Sequence, residues 1–172
     1  MKTSSATPPF RVINISGKNR NIVLNGQATQ MLINQKSSEA PLTGFCNSKG
    51  RLLAVARVFY SNETTSVLLP GCIVSDLIMH LKPAIHLSRC QISIDETMFG
   101  HLEMGEIAEG KCEINNNVIF IGERGGLCWK LTNSKNSFSE ENYSKLLMTG
   151  LGFIKKKTSS LFIPQQIHLQ LM

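Results

Sequence analysis

The chain has 172 residues, of which 42% are hydrophobic and 17% are charged, and its formal net charge is +6 at pH 7. This length fits one ordinary domain, or one domain and part of a second. The charged fraction is below the value of about 25% that is usual for soluble domains, which indicates more apolar or neutral surface than average. The basic balance permits an anionic partner, such as a phosphate, a polyglutamate or a nucleic acid, without requiring one.

The sequence gives no sign of a membrane segment, a secretory signal or a zinc site. No stretch reaches the roughly 18 uninterrupted apolar residues of a membrane helix, and the N-terminal residues 1–9 are polar, so we expect a cytoplasmic protein. The five cysteines stand far apart and form no CxxC pair. An odd number of separated cysteines in a cytoplasmic chain predicts reduced, mostly buried thiols.

The N-terminal quarter of the chain predicts a strand followed by a helix. Residues 1–9 end in two prolines and are expected to be disordered. Residues 10–15, FRVINI, alternate as a strand does, and residues 18–32 place apolar side chains near one face at helical spacing. Gly26 weakens the middle of that helix by about 1 kcal/mol relative to alanine. Residues 34–40 form a polar loop into the next element.

The segment PLTGFCNSKGRLLAVARVFY, residues 41–60, predicts a β-hairpin around which the rest of the chain is arranged. Its strands are residues 42–46 and residues 52–60, and the turn formers NSKG lie between them. Arg57 is the one charge inside the second strand. Such a long apolar run is typical of a hairpin in the middle of a sheet, and we expect it there and not at an edge.

The turn brings two basic side chains, Lys49 and Arg51, to one tip of the hairpin. Basic groups on a rigid tip can bind an anionic ligand. They are also ordinary solvated turn residues, and the local sequence by itself favours this second interpretation.

The following residues alternate between predicted strands and helices. Residues 64–69 continue the meander, residues 72–85 form the best amphipathic helix, and residues 90–94 form another strand. Pro83 is expected to end or kink that helix. Residues 95–110 are interpreted either as a short helix between loops or as a poorly ordered connection.

The last third of the chain predicts a hairpin and then a short helix. Residues 112–121 and residues 126–131 form the hairpin, with Trp129 on its second strand, and residues 143–148 form the helix. Together these elements predict an α+β domain with a mainly antiparallel sheet and flanking helices.

Three segments of the chain resemble the YgfZ family of folate-binding proteins, which are related to the T-protein of the glycine cleavage system. Residues 15–30, ISGKNRNIVLNGQATQ, resemble the family's I-(S/T)-G and its helix ending in Q-G-Q-x-T. Residues 46–51, CNSKGR, resemble its aspartate-x-Lys-Gly-(Lys/Arg) turn, and residues 162–170 resemble its F-I-P-Q-x-x-N-L-Q. The resemblance implies a fold similar to the N-terminal part of the T-protein.

The chain departs from that family in several places. Family members continue into a Lys-Gly-Cys-Tyr-x-Gly-Gln-Glu motif and a C-terminal β-barrel, whereas this sequence ends at Met172, before both. None of its cysteines matches the reactive cysteine of that motif. Gln30, and Thr149 with its neighbours, stand where the family often has acidic residues. These departures imply a truncated or inactive member with one folate-binding-like domain, residues 10–172.

The resemblance also implies a ligand and the residues that hold it. Phe10 and Tyr143 lie where relatives place aromatic side chains, on which a pterin ring stacks, and Lys49 and Arg51 are placed to hold the glutamate tail of tetrahydrofolate or a related folate. The alternative for Phe10 and Tyr143 is ordinary packing. No catalytic residue and no metal ligand is predicted.

The resemblance and these residues leave four functions open. The first, as the resemblance implies, is a folate-binding scaffold that assists iron–sulfur cluster enzymes, including enzymes of tRNA modification, and is not itself an enzyme. The second is a tetrahydrofolate-dependent aminomethyltransferase, which needs an acid or base near the folate. A basic nucleic-acid-binding module, using residues 155–157, Lys18 and Arg20, ranks below these because exposed aromatic residues do not alternate with the charges, so direct nucleic-acid binding is not expected. The fourth is a remnant without activity.

Overall fold

The computed structural model of the protein describes residues 10–61 and 63–133. These residues form two α-helices, α1 (Arg20–Asn25) and α2 (Val74–Leu87), and a 3₁₀ turn (Gly71–Ile73) leads into α2. The eight strands are β1 (Phe10–Ser16), β2 (Leu42–Cys46), β3 (Leu52–Ser61), β4 (Thr64–Pro70), β5 (Gln91–Met104), β6 (Cys112–Asn115), β7 (Val118–Glu123) and β8 (Leu127–Thr132). Neither helix is long and apolar enough to cross a membrane, as far as the described residues extend.

All eight strands belong to one antiparallel sheet, in the order β2-β3-β4-β1-β5-β8-β7-β6. The predicted hairpin of β2 and β3 is present, but its expected position in the middle of the sheet is wrong for β2, which lies at one edge. The apolar run belongs to β3, which has a partner strand on each side. The edge of β2 is covered where Ala28 bridges Phe45 and the N–H of Thr29 donates to the carbonyl of Gly44.

The predicted helix over residues 18–32 is wrong beyond its first turns, because α1 ends at Asn25. The N–H groups of Gln27 and Ala28 both donate to the carbonyl of Leu24, which ends the helix in a tight turn. The side chain of Asn25 then accepts the N–H of Leu32 at 2.7 Å. The apolar residues that suggested a longer helix therefore belong to a loop that returns along the edge of β2.

Both interpretations of residues 95–110 are wrong for the first part of that segment, because β5 extends from Gln91 to Met104. Ile13 pairs with Ile94, while Arg11 pairs with Phe99, so β5 carries three more residues than β1 between these two pairs. We call residues 95–98 the β5 insertion. This interruption, together with the glycines that follow it, hid the alternation from which a strand is predicted.

The insertion is organised by Asp95. Its Oδ1 accepts hydrogen bonds from the N–H groups of Thr97 and Met98, each at 3.0 Å, and its Oδ2 accepts one from Asn14 at 3.1 Å. Partial burial raises the pKa of the Asp95 carboxyl, but the hydrogen bonds from Thr97 and Asn14 outweigh burial and leave the pKa below its usual value.

The other predictions fall close to the observed elements. The amphipathic helix over residues 72–85 is confirmed as α2, although Pro83 lies inside it and does not end it. The last hairpin is confirmed around residues 124–126, but the strand predicted over residues 112–121 is divided into β6 and β7 by a turn with positive φ at Asn116 and Asn117. The fold is a mainly antiparallel half-barrel, and the described residues contain only two α-helices beside it.

The sheet bends so that each face buries its own apolar cluster. One face packs against α1 and α2, with Leu24, Leu77 and Leu81 opposite Ile13 and Phe45. The other face is the interior of the half-barrel, where its two halves meet around these side chains: Phe10, Val12, Phe59, Leu68, Leu102, Ile119, Ile121, Trp129 and Leu131.

The two edges of the sheet meet at one end. Residues 38–40 precede β2, and they pair with residues 110–112 at the start of β6. The N–H of Ala40 donates to the carbonyl of Gly110 at 2.8 Å, and the N–H of Cys112 donates to the carbonyl of Ser38 at 2.9 Å. We call residues 38–40 and 110–112 the seam, because they close the half-barrel between β2 and β6.

Candidate functional site

The tip of the β2–β3 hairpin is a rigid turn. The side-chain oxygen of Asn47 accepts the N–H groups of Lys49 and Arg51, at 2.9 and 3.0 Å. The N–H of Asn47 donates to the carbonyl of Arg51 at 2.9 Å, and Gly50 has φ of +71°, a value that L side chains rarely adopt. The predicted turn is therefore fixed by an asparagine side chain and a glycine.

The side chains of Lys49 and Arg51 are exposed at this tip. None of the ion pairs formed within the described residues includes either of them. Two cations without a carboxylate partner on a fixed backbone can pair with an anionic group of a ligand, and the guanidinium of Arg51 can do so bidentately.

Phe10 lies at the start of β1 and is buried, with 5% of its surface exposed. Its ring packs against that of Trp129, with the centroids 4.3 Å apart and the planes inclined by 46°. The two rings line a gap of about 10 Å³, which has room for one water molecule and no room for a pterin ring. Phe10 therefore packs against an aromatic residue of the chain itself.

A buried ion pair lines the same gap. Arg57 on β3 donates from Nε and Nη2 to the two carboxylate oxygens of Glu123 on β7, at 2.7 and 2.8 Å. Each side chain is only 4% exposed. Arg57 Nη1 donates to the carbonyl of Ala40 at 3.0 Å, and Trp129 Nε1 donates to Glu123 Oε1 at 3.2 Å. The pair thus connects β3, β7, β8 and the seam.

The sequence indicates only one member of this ion pair, Arg57, as a buried charge. Arg57 is a single charge in an apolar strand, and a charge in such a place requires a buried partner. Glu123 stands beside Arg124-Gly125-Gly126 and has the pattern of an ordinary turn residue. Glu123 is 66 residues from Arg57, so nothing in the local sequence connects the two.

A third carboxylate lies at the outer side of the buried pair. Glu109 is half exposed, its Oε1 accepts from Arg124 Nε at 2.9 Å, and the same oxygen lies 3.7 Å from Arg57 Nη2. The charges around the turn between β7 and β8 are therefore paired with one another, in contrast to those at the hairpin tip.

The structure places the hairpin tip and Phe10 at the same end of the sheet. Phe10 lies opposite Pro70, where β4 ends, and extending the β3–β4 register puts Val55 level with Pro70. Arg51 lies four residues before Val55, about 13 Å further along, and β3 lies two strands, or about 10 Å, from β1. Tyr143 and residues 155–157 and 162–170 lie outside the described residues.

Two thiols of the described residues, those of Cys112 and Cys128, are buried. Burial raises the pKa of Cys112 to about 11, and burial also raises the pKa of Cys128. A thiol with a raised pKa stays protonated near neutral pH and is a poor nucleophile. The part of the chain that the structure describes contains no group of three or more His, Cys, Asp or Glu side chains able to hold a metal ion.

Comparison with known proteins identifies the fold and no family. No family model matches the sequence, and no curated protein matches it. Among solved structures, the glycine cleavage system aminomethyltransferase T from Bartonella henselae superimposes with a TM-score of 0.61 at 10% sequence identity. The match covers 83% of this chain and 43% of that chain, so the protein has the fold of less than half of an aminomethyltransferase T.

Proposed function

We propose that this domain binds tetrahydrofolate or a related folate at the end of the sheet that carries the hairpin tip and Phe10. One observation supports this most directly: within an aminomethyltransferase T-like fold, the cations Lys49 and Arg51 have no carboxylate partner among the described residues and stand at the same end as an aromatic pair. The cations suit the carboxylates of a glutamate tail, and the rings suit a pterin.

The fit of the two parts of a folate differs in this structure. The tail can reach Lys49 and Arg51 without any rearrangement, since both are exposed. The pterin can stack on Phe10 only after Phe10 and Trp129 separate, because their rings are in contact and the gap that they line holds about one water molecule. The proposal therefore includes a movement of the aromatic pair, and Tyr143 is proposed as a second stacking residue.

We propose a scaffold role for the folate-bound protein, as a cytoplasmic assistant of iron–sulfur cluster enzymes and of tRNA modification. The support for this role is the resemblance of the sequence to the YgfZ family. The chemistry of the gap also favours a protein without its own catalysis. Among the described residues, Glu123 is the one carboxylate lining the gap, and both of its oxygens accept hydrogen bonds from Arg57. It is not free to move a proton at a folate.

The alternative is a tetrahydrofolate-dependent aminomethyltransferase, favoured by the likeness to aminomethyltransferase T. Calorimetric titration with tetrahydrofolate tests the ligand, and a glycine-cleavage assay with the partner proteins of that system then tests the reaction. We expect binding without turnover. Turnover would replace the scaffold with the enzyme, and the absence of any binding would remove both.

A further inference from the structure

Fewer backbone hydrogen bonds cross the seam than join any two paired strands of the sheet. Two backbone hydrogen bonds cross the seam, at Ala40 and Cys112, whereas β1 and β4 pair over seven residues. Its one ion pair, between Lys111 and Glu39 at 3.6 Å, is partly exposed and contributes little. Proteins open locally where few backbone hydrogen bonds join two segments and where the polar contacts between them are exposed.

The buried ion pair holds the seam from inside. Arg57 binds Glu123 across the half-barrel and also donates to the carbonyl of Ala40, which belongs to the seam. A buried pair adds little net stability, because both charges lose water when they are buried. When the seam opens, water reaches these charges again, and this hydration offsets part of the cost of separating them.

The β5 insertion lies on the opposite side of the half-barrel from the seam. Before the insertion β5 pairs with β1, and after it β5 pairs with β8 and, at Phe99, once more with β1. Within the insertion, the side chain of Asp95 holds the backbone in place of a continuous ladder. Residues outside a ladder can absorb changes in backbone angles, as hinges do.

We propose that the half-barrel opens at the seam, with the β5 insertion as its hinge, and that this opening admits a flat aromatic ligand to the gap that Phe10 and Trp129 line together with Arg57 and Glu123. The proposal rests on the proposed folate site and states how access to that site is controlled. The closed form has room for about one water molecule there, so a pterin needs such a movement to enter.

A reversible cross-link tests the opening. Glu39 and Lys111 face each other as an antiparallel bridge whose flanking hydrogen bonds mark a non-hydrogen-bonded pair. The Cα atoms of such a pair are about 4.5 Å apart, a distance that a disulfide spans. The variant Glu39→Cys, Lys111→Cys, oxidised and verified by peptide mass mapping, locks the seam, and its reduced form releases it. The variant Glu39→Ser, Lys111→Ser, treated with the same oxidant, controls for the native cysteines.

The first readout needs no ligand, because Trp129 is the only tryptophan of the chain and is 1% exposed. We expect the acrylamide quenching constant of Trp129 to fall about tenfold on oxidation and to return on reduction, since quenching requires opening. In the unmodified protein, the amides of Ala40 and Cys112 should exchange at least about tenfold faster than that of Val67 in β4. Equal quenching in both redox forms, or equal exchange at the three amides, overturns the proposal.

The second readout uses 5-formyltetrahydrofolate in stopped-flow mixing. Its association rate constant should fall about tenfold in the oxidised form and recover on reduction. Equal rates in the two forms overturn controlled access and leave folate binding standing. Quenching that depends on the disulfide, without folate binding in either form, supports the opening and contradicts the proposed function. The two failures are therefore distinguishable.

Discussion

Arg51 and Arg57 lie six residues apart on one hairpin, yet their side chains are in opposite situations. Arg51 is exposed on a turn fixed by Asn47, and no ion pair among the described residues includes it. Arg57 is 4% exposed and donates to Glu123 and to Ala40. A free cation on a rigid backbone contributes little to stability and is available to a ligand. A buried cation whose N–H groups are bonded within the protein connects neighbouring strands and is not available to a ligand.

The largest expected effect comes from removing the partner of Arg57. Glu123→Ala leaves the buried guanidinium of Arg57 with only the half-exposed Glu109, at 3.7 Å, as a carboxylate partner, and should lower the free energy of unfolding by about 3–5 kcal/mol. Urea denaturation followed by circular dichroism measures this change. Glu103→Ala, which removes a carboxylate paired with Lys130 on the surface, is the matched control and should cost less than about 1 kcal/mol. A loss as small as that of the control would contradict the assignment of Arg57 and Glu123 as a desolvated pair.

A second substitution tests the hydrogen bonds that hold the backbone of the hairpin tip and leaves the charges of Lys49 and Arg51 in place. Asn47→Ala removes the side-chain oxygen that accepts the N–H groups of Lys49 and Arg51. We expect a loss of about 1 kcal/mol in the free energy of unfolding. Asn47→Asp keeps the acceptor and should retain most of the stability. If the alanine and aspartate variants were equally destabilised, the hydrogen bonds of this turn would not be what fixes the tip.

Glu109 is intermediate between the exposed charges of the tip and the buried pair, because it is half exposed and contacts both Arg124 and Arg57. Glu109→Gln should cost less than about 1 kcal/mol at low salt, and this cost should shrink as salt increases. Urea denaturation at two salt concentrations checks this expectation. A loss comparable to that of Glu123→Ala would mean that the buried pair depends on Glu109 as a third member.

A structural feature of this protein can be predicted from the sequence when the residues that determine it lie close together along the chain. The hairpin of β2 and β3 and the helix α2 were predictable because turn formers and apolar spacing lie within each segment. The end of α1 and the course of β5 depend on partners elsewhere, since Leu32 is held by Asn25 and β5 crosses from β1 to β8. Tertiary context of this kind overrides local propensity.

The same distinction applies to the candidate site. Lys49 and Arg51 were predicted as a basic tip, and the structure places them on a fixed turn, because a five-residue turn contains everything that positions them. Trp129 was predicted only as a strand residue, and its contact with Phe10 bridges more than a hundred residues of chain. The role of Phe10, Lys49, Arg51 and Tyr143 in binding folate stays a prediction.

The smallest expected effect on stability is also the most direct test of the tip. The double change Lys49→Ala, Arg51→Ala should alter the free energy of unfolding by less than about 0.5 kcal/mol, since both side chains are exposed turn residues. Exposed charge contacts are worth on the order of 1 kcal/mol and are screened by salt. The variant should therefore bind 5-formyltetrahydrofolate several-fold more weakly at low salt and nearly as well as the parent at high salt. Calorimetric titration of both proteins at two ionic strengths measures this difference.

The matched control is the double change Lys18→Ala, Lys82→Ala, which removes the same charge from two other exposed positions. Lys18 follows β1 at the opposite end of the sheet from Phe10. If the two double variants lost affinity equally, net charge would account for the effect, and the hairpin tip would not be part of the binding site.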